Sequence, residues 1–204
     1  MQLYDWYRFT GDKQGLARHF PIMKGILEFL FAEIVTKRGS KYTVKLMEGS
    51  DENINRQNDT MHLVTLIQAM QNYLTACSVL NEPPERNYAS ALKGLRRCLR
   101  ENYRDGVLMP WKNARRIVST NFSYQALSLP EGVGAKSIRA SLKVSRGKLG
   151  LTHAGTYRNL IWPWVEAKAA LAFAFDDPKF SYERLKHVLD CTSTLGVFPE
   201  KIRP

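Results

Sequence analysis

A chain of 204 residues, 44% hydrophobic and 24% charged, can bury an ordinary globular core without a partner, and one domain is the default expectation. No run approaches the ~18 to 20 uninterrupted apolar residues of a membrane span, so no membrane partner is expected. Thirty Lys and Arg against nineteen Asp and Glu give a net charge of +11, but the doublets Lys37-Arg38, Arg96-Arg97 and Arg115-Arg116 are scattered, with no basic run of five or more. A solvated basic surface is therefore expected, and nucleic acid is not the expected partner.

Along the chain, Leu3, Trp6 and Tyr7 fall at helical spacing, and Thr10-Gly11-Asp12 ends that helix with a glycine and offers an aspartate as the next cap. Pro21 suits the first turn of a second helix, whose stripe Ile22, Ile26, Leu27, Leu30 and Ile34 is closed by Lys37-Arg38-Gly39. Lys41 to Met47 alternates briefly, and Glu48-Gly49-Ser50-Asp51-Glu52-Asn53 is polar without an apolar period, which predicts a loop. Asp59 or Thr60 can cap the next helix, which carries Leu63, Val64, Ile67, Met70 and Leu74 and stops at Asn81-Glu82-Pro83-Pro84.

Tyr88, Leu92, Leu95, Leu99 and Tyr103 predict a further helix ending at Asp105-Gly106, with Arg96, Arg97 and Arg100 on its wet side. Ala114 to Leu129 suggests irregular or short extended structure. Helical spacing resumes, after glycines 147, 150 and 155, at Trp164, Lys168, Leu171 and Phe175, and again at Leu185, Val188 and Leu189 beyond Asp176-Asp177-Pro178. Cys77, Cys98 and Cys191 are widely spaced and odd in number, which fits reduced thiols in a cytoplasmic protein. His19, His62, His153 and His187 have no metal-ligand spacing, and no cofactor is expected.

The polar stretch Gly49-Ser50-Asp51-Glu52-Asn53, running on to Asn58-Asp59-Thr60 between helix pairs, resembles the six-hairpin α/α toroid of carbohydrate enzymes. In the maltose-phosphorylase and kojibiose-phosphorylase group a similar Gly-x-Asp-Glu stretch, followed by an Asp-Asn pair, carries the general acid. The resemblance implies that Glu52 is that acid; the later pair is reversed here, as Asn58-Asp59. Phe198-Pro199-Glu200 is similar to the Pro-Glu-Gln stretch of bacterial and archaeal glucoamylases and implies Glu200 as the base. The glucoamylase acid follows a Trp-Glu step, for which this chain has Met47-Glu48, so Glu48 competes with Glu52.

The fold so implied is mainly α, a partial (α/α)6 toroid with a few short strands. Residues 1–204 would form one incomplete catalytic-domain stretch, and the remaining helical hairpins would belong to the full-length protein. The implied activity is that of a glycosidase on α-glucosides or short oligosaccharides. A sugar phosphorylase of the same fold and a basic helical nucleic-acid-binding or scaffold protein are the alternatives.

The chemistry requires one protonated carboxyl to donate to the leaving oxygen and one carboxylate to activate water or attack the sugar. If Glu52 and Glu200 are that pair, they face the same end of the helical array, ~5 to 5.5 Å apart for retention or ~6.5 to 9.5 Å for inversion. Asp51 beside Glu52 would raise the acid's pKa by like charge; by residue type alone, the two equally make a solvated acidic loop. Asp59 could hold a sugar hydroxyl or cap its helix, and Trp162 and Trp164 could offer apolar faces to a pyranose or belong to the core.

Overall fold

The structure is a computed structural model that describes residues 2–39, 41–45, 47–48, 55–85, 87–114, 136–137, 139–140, 153–154, 157–161, 163–174 and 177–192. It divides into two compact units, one of Met1–Met47 with Arg56–Glu101 and one of Glu48–Asn55 with Asn102–Pro204. The described residues are mainly helical, and successive helices pack as hairpins, as the sequence predicts.

In the first unit, α1 (Gln2–Thr10) stops at Gly11, whose φ of +68° suits glycine and whose N–H donates to the Tyr7 carbonyl at 2.8 Å. Asp12 then caps α2 (Lys13–Glu33) by accepting the Gly15 N–H at 2.9 Å. Pro21 does not open this helix but lies inside it. Proline there removes the donor to the carbonyl four residues back, on Ala17; both residues are exposed, so water can satisfy that carbonyl and the helix continues. The buried side of α2 is correspondingly rotated: Leu16, Met23 and Leu27 are buried, whereas Ile22 and Ile26 are exposed.

Nor do Lys37-Arg38-Gly39 close a helix. They belong to a hairpin of β1 (Val35–Arg38) and β2 (Lys41–Val44), antiparallel with Val35 opposite Val44 and Arg38 opposite Lys41, and Gly39 takes φ +59° in the turn. Two short strands, β3 (Met47–Glu48) and β4 (Asn55–Arg56), pair with each other on either side of residues 49–54.

The centre of the unit is α3 (Thr60–Leu80), which is long and apolar enough to cross a membrane by composition but buries ten residues here, Leu63, Val64, Ile67 and Met70 among them. Asn81, at φ 58°, ends it and returns its N–H to the Cys77 carbonyl. Against α3 packs α4 (Tyr88–Arg100), burying Tyr88, Leu92, Leu95 and Leu99 and leaving Arg96, Arg97 and Arg100 exposed. A run of rings joins the helices: Phe20 stacks on Tyr73 at 5.3 Å, Tyr73 meets Tyr88 edge-on at 5.5 Å, and Tyr88 stacks on Phe31 at 4.7 Å. Cys77 and Cys98 are buried free thiols, as the sequence suggests, and Cys191 in the other unit is a half-buried one.

In the second unit, Tyr103 and Asp105-Gly106 do not continue α4. They form a hairpin of β5 (Tyr103–Arg104) and β6 (Val107–Leu108), turning through Asp105 at φ 53° and Gly106 at φ 72°, the two left-handed residues of a tight hairpin turn. A further hairpin pairs β7 (His153–Ala154) with β8 (Tyr157–Ile161). The stretches 115–129 and 195–204, read above as irregular segment and base motif, lie outside the described residues.

Next, α5 (Pro163–Phe173) and α6 (Pro178–Asp190) make a helical hairpin, α6 being capped by Asp177 through the Phe180 N–H at 3.0 Å. Its buried seam differs from the predicted apolar stripe, since Leu171, Leu185 and Leu189 are exposed. Val188 is buried as predicted, and Glu166, Ala170, Phe173 and Arg184 join it in the seam. Arg184 reaches Glu166 at 3.4 Å, and the Ser181 hydroxyl donates to the Ala170 carbonyl at 2.7 Å. Arg139 lies 4.6 Å over Phe173 and 4.8 Å over Phe180 while binding Asp177 at 2.5 Å.

Candidate functional site

The acidic stretch implicated by its sequence is flanked by ordered structure on both sides. Before it in sequence runs β3, carrying Glu48 in its backbone, and after it comes β4, which pairs with β3. Glu52 and Asp51 fall within that stretch and lie outside the described residues, as do Trp162 and Glu200. Trp164 is the second residue of α5, following Pro163 at the helix's first position, where a proline costs no hydrogen bond. The side chains of Glu48 and Trp164 are not described.

Downstream of β4 the geometry is clear. Asn58 adopts φ 55°, a left-handed conformation that asparagine tolerates better than most residues, and so turns the chain toward α3. Its side-chain carbonyl accepts the Val44 N–H at 2.7 Å and its own N–H donates to the Val44 carbonyl at 3.3 Å, so Asn58 acts as a strand partner for the end of β2. Asp59 follows as the N-cap, its Oδ1 accepting the Met61 N–H at 2.9 Å. The order Asn-Asp thus has a local cause: the first residue must turn left-handed and the second must cap.

Asp59 is 1% exposed. Burial pushes its carboxyl pKa up, an effect opposed by the Met61 N–H and by the charge and N–H of His62. The His62 Nδ1 lies 3.8 Å from Asp59 Oδ1, too far for a hydrogen bond, and Asp59 Oδ2 is buried with no hydrogen-bond partner among the described residues. A buried carboxyl oxygen with spare accepting capacity, beside an imidazole at the positive end of a helix, can accept a hydroxyl or hold a proton. Sequence reasoning weighed Asp59 and passed over His62, whose only signal was its spacing three residues after the cap.

Elsewhere the first unit has a cavity of about 40 Å³ lined by residues including Leu3, Met23, Leu27 and Asn72, well short of the ~300 Å³ at which ligand pockets begin. No group of three or more His, Cys, Asp or Glu among the described residues could hold a metal ion.

In sequence, residues 1–121 match the family model described as the glycosyl hydrolase family 95 catalytic domain, which covers more than half of the chain. That stretch contains Glu48, Asp51, Glu52 and Asp59 and ends before Trp162, Trp164 and Glu200. No curated protein matches the chain.

Proposed function

The chain belongs to glycosyl hydrolase family 95, and from that premise we propose that it is part of an (α/α)6-toroid glycosidase in which Glu52 protonates the leaving oxygen and Glu200 is the base. The observation that carries the glycosidase reading is the family match, which spans the acidic stretch and the capped start of α3, while the roles of Glu52 and Glu200 rest on motif resemblance. Further helical hairpins complete the toroid around the same site. Glu48 is the alternative acid, four residues earlier and on β3.

The substrate class is an α-glucoside or short oligosaccharide. Asp51 raises the affinity of the acid for its proton by like charge, and Asp59 orients a sugar hydroxyl or the acid itself. Trp162, and Trp164 at the start of α5, give the pyranose C–H groups a flat face.

The chemistry separates into two donor-acceptor events. A glutamic acid kept protonated near neutral pH gives its proton to the glycosidic oxygen as the C–O bond breaks, and an ionised carboxylate removes a proton from the attacking water or attacks the sugar carbon directly. Incubating the protein with maltose and with an aryl α-glucoside, with and without inorganic phosphate, tests the assignment. Release of free glucose independent of phosphate is expected. Phosphate-dependent release of a sugar phosphate would instead make the protein a phosphorylase and leave Glu200 without a catalytic part.

A further inference from the structure

Residues 35–45 and 87–100 together hold eight Lys and Arg and no Asp or Glu, so two short segments carry eight of the eleven excess positive charges of the chain. In sequence forty-one residues separate them; in the first unit they are packed together. The contact is made by Tyr42 of β2, whose ring lies against Gly94 of α4, leaving a Cβ there only 2.6 Å from the ring. The Tyr42 hydroxyl and the Ser90 hydroxyl are 3.3 Å apart, and Cys98 Sγ donates to the Tyr42 carbonyl at 2.7 Å.

On α4, Lys93, Arg96, Arg97 and Arg100 are all exposed and follow the i, i+3, i+4, i+7 spacing that places them in one stripe. Lys93 precedes Gly94 and Arg97 follows it three residues on, and the Lys37 ammonium lies 5.5 Å over the Tyr42 ring seated there. Lys37, Arg38 and Lys41, all exposed, extend the charge onto the hairpin. Elsewhere in this unit Arg8, Arg18 and Lys24 form ion pairs with Asp5, Asp12, and Glu28 and Glu85. Among the described residues, none of these seven cations does.

Within α4 these cations stand at i, i+3 and i, i+4 from one another, which costs helix stability, and the nearest acid on the stripe is Glu101 at the C-cap, four residues after Arg97. Favourable interaction with the negative end of the helix accounts for Arg97 and Arg100 in its last turn, but not for Lys93 or for the hairpin. We propose that this surface of α4 and the β1–β2 hairpin binds an acidic polysaccharide, a linear glycan bearing sulfate or uronate groups. Arginine forks suit such oxyanions bidentately. A single-stranded nucleic acid would need an open aromatic face for its bases, and the Tyr42 ring is covered by Gly94 on one side and Lys37 on the other. The choice of a glycan as the polyanion rests on the glycosidase reading.

Binding of the protein to dextran sulfate, polygalacturonate, uncharged dextran and duplex DNA tests the proposal. Dextran sulfate or polygalacturonate is expected to bind and uncharged dextran not to, which also tells sulfate from uronate recognition. With four cations engaged, affinity is expected to fall on the order of a hundredfold between 50 and 200 mM salt. Replacing Lys93, Arg96, Arg97 and Arg100 together by Gln should weaken binding at least tenfold without lowering the unfolding temperature, and Arg38→Gln with Lys41→Gln should weaken it less. Lys179→Gln with Lys186→Gln, on α6, should leave it unchanged. Equal retention of uncharged dextran, unaltered binding by the α4 variant, or tighter binding to duplex DNA than to either acidic glycan would overturn the proposal. Cleavage of an uncharged aryl glucoside is measured in parallel: its absence from the unaltered protein counts against the catalytic reading alone, and it should survive the α4 substitutions.

Discussion

Asp59 carries two separable contributions, a cap and a buried ionisable group. Because burial raises its folded-state pKa, the native protein binds more protons than the unfolded chain between the two values. The stability it contributes is therefore full below the unfolded value, ~4, and is lost as pH rises through the raised one. Asp59→Asn keeps an oxygen to accept the Met61 N–H but no charge, so urea unfolding should show it gaining on the parent as pH rises from about 4 to 7. Asp59→Ala, which removes the cap, should lose about 1 to 2 kcal/mol. Two glycines give opposite expectations for the same substitution. Gly25, inside α2 with open space around it, should gain about 0.5 to 1 kcal/mol as alanine, whereas a Cβ at Gly94 meets the Tyr42 ring and should cost about 1 to 3 kcal/mol. Thermal unfolding of the two variants checks both signs. The cap at Asp59 was legible in the sequence because capping is a local matter of one side chain and the N–H groups after it. The need for glycine at position 94 was not, since the ring that requires it comes from fifty-two residues earlier.

At the scale of elements, helices whose ends are fixed by local chemistry were predicted correctly, as at Gly11-Asp12, Asp59, Asn81 and Asp177. The misreadings came where tertiary packing decides. Pro21 looked like a helix start, yet α2 runs through it at an exposed position; Lys37-Arg38-Gly39 and Asp105-Gly106 looked like helix ends and belong to hairpins. In α5 and α6 the periodic leucines face outward and an ion pair sits inside, which no apolar period could announce. Glu166 is 0% and Arg184 5% exposed by side chain, so removing one of them takes an ion-pair contact from a buried charge. Glu166→Ala or Arg184→Ala should each cost about 3 to 5 kcal/mol, and replacing both by apolar residues of similar volume should recover most of that loss. Denaturant midpoints of the single and double variants measure the difference.

For the whole molecule, family membership and the helical hairpins agree on a glycoside hydrolase, while the catalytic assignment rests on Glu52 and Glu200. Motif resemblance is what singles out Glu52 as the proposed acid, because a short stretch, Asp51-Glu52 before Asn58-Asp59, carries the likeness. The proposed pairing of Glu52 with a base 148 residues later would depend on the toroid closing, which no local pattern encodes. Closure would also cover apolar surface: Phe9, Ile22, Ile26 and Phe29 are exposed on α1 and α2, and a hydrophobic dye should bind the isolated chain and bind less to a form with these four replaced by serine, lysine or glutamate. The measurement that bears most directly on the catalytic claim compares two glucosides, one with a poor leaving group and one with an activated aryl leaving group that departs without a proton. Glu52→Gln should lower the rate on the first by ~10² to 10⁴ and largely spare the second, whereas Glu48→Gln should spare both and Glu200→Gln should lower both. Equal activity of Glu52→Gln and the unaltered protein toward the poor leaving group would contradict the assignment.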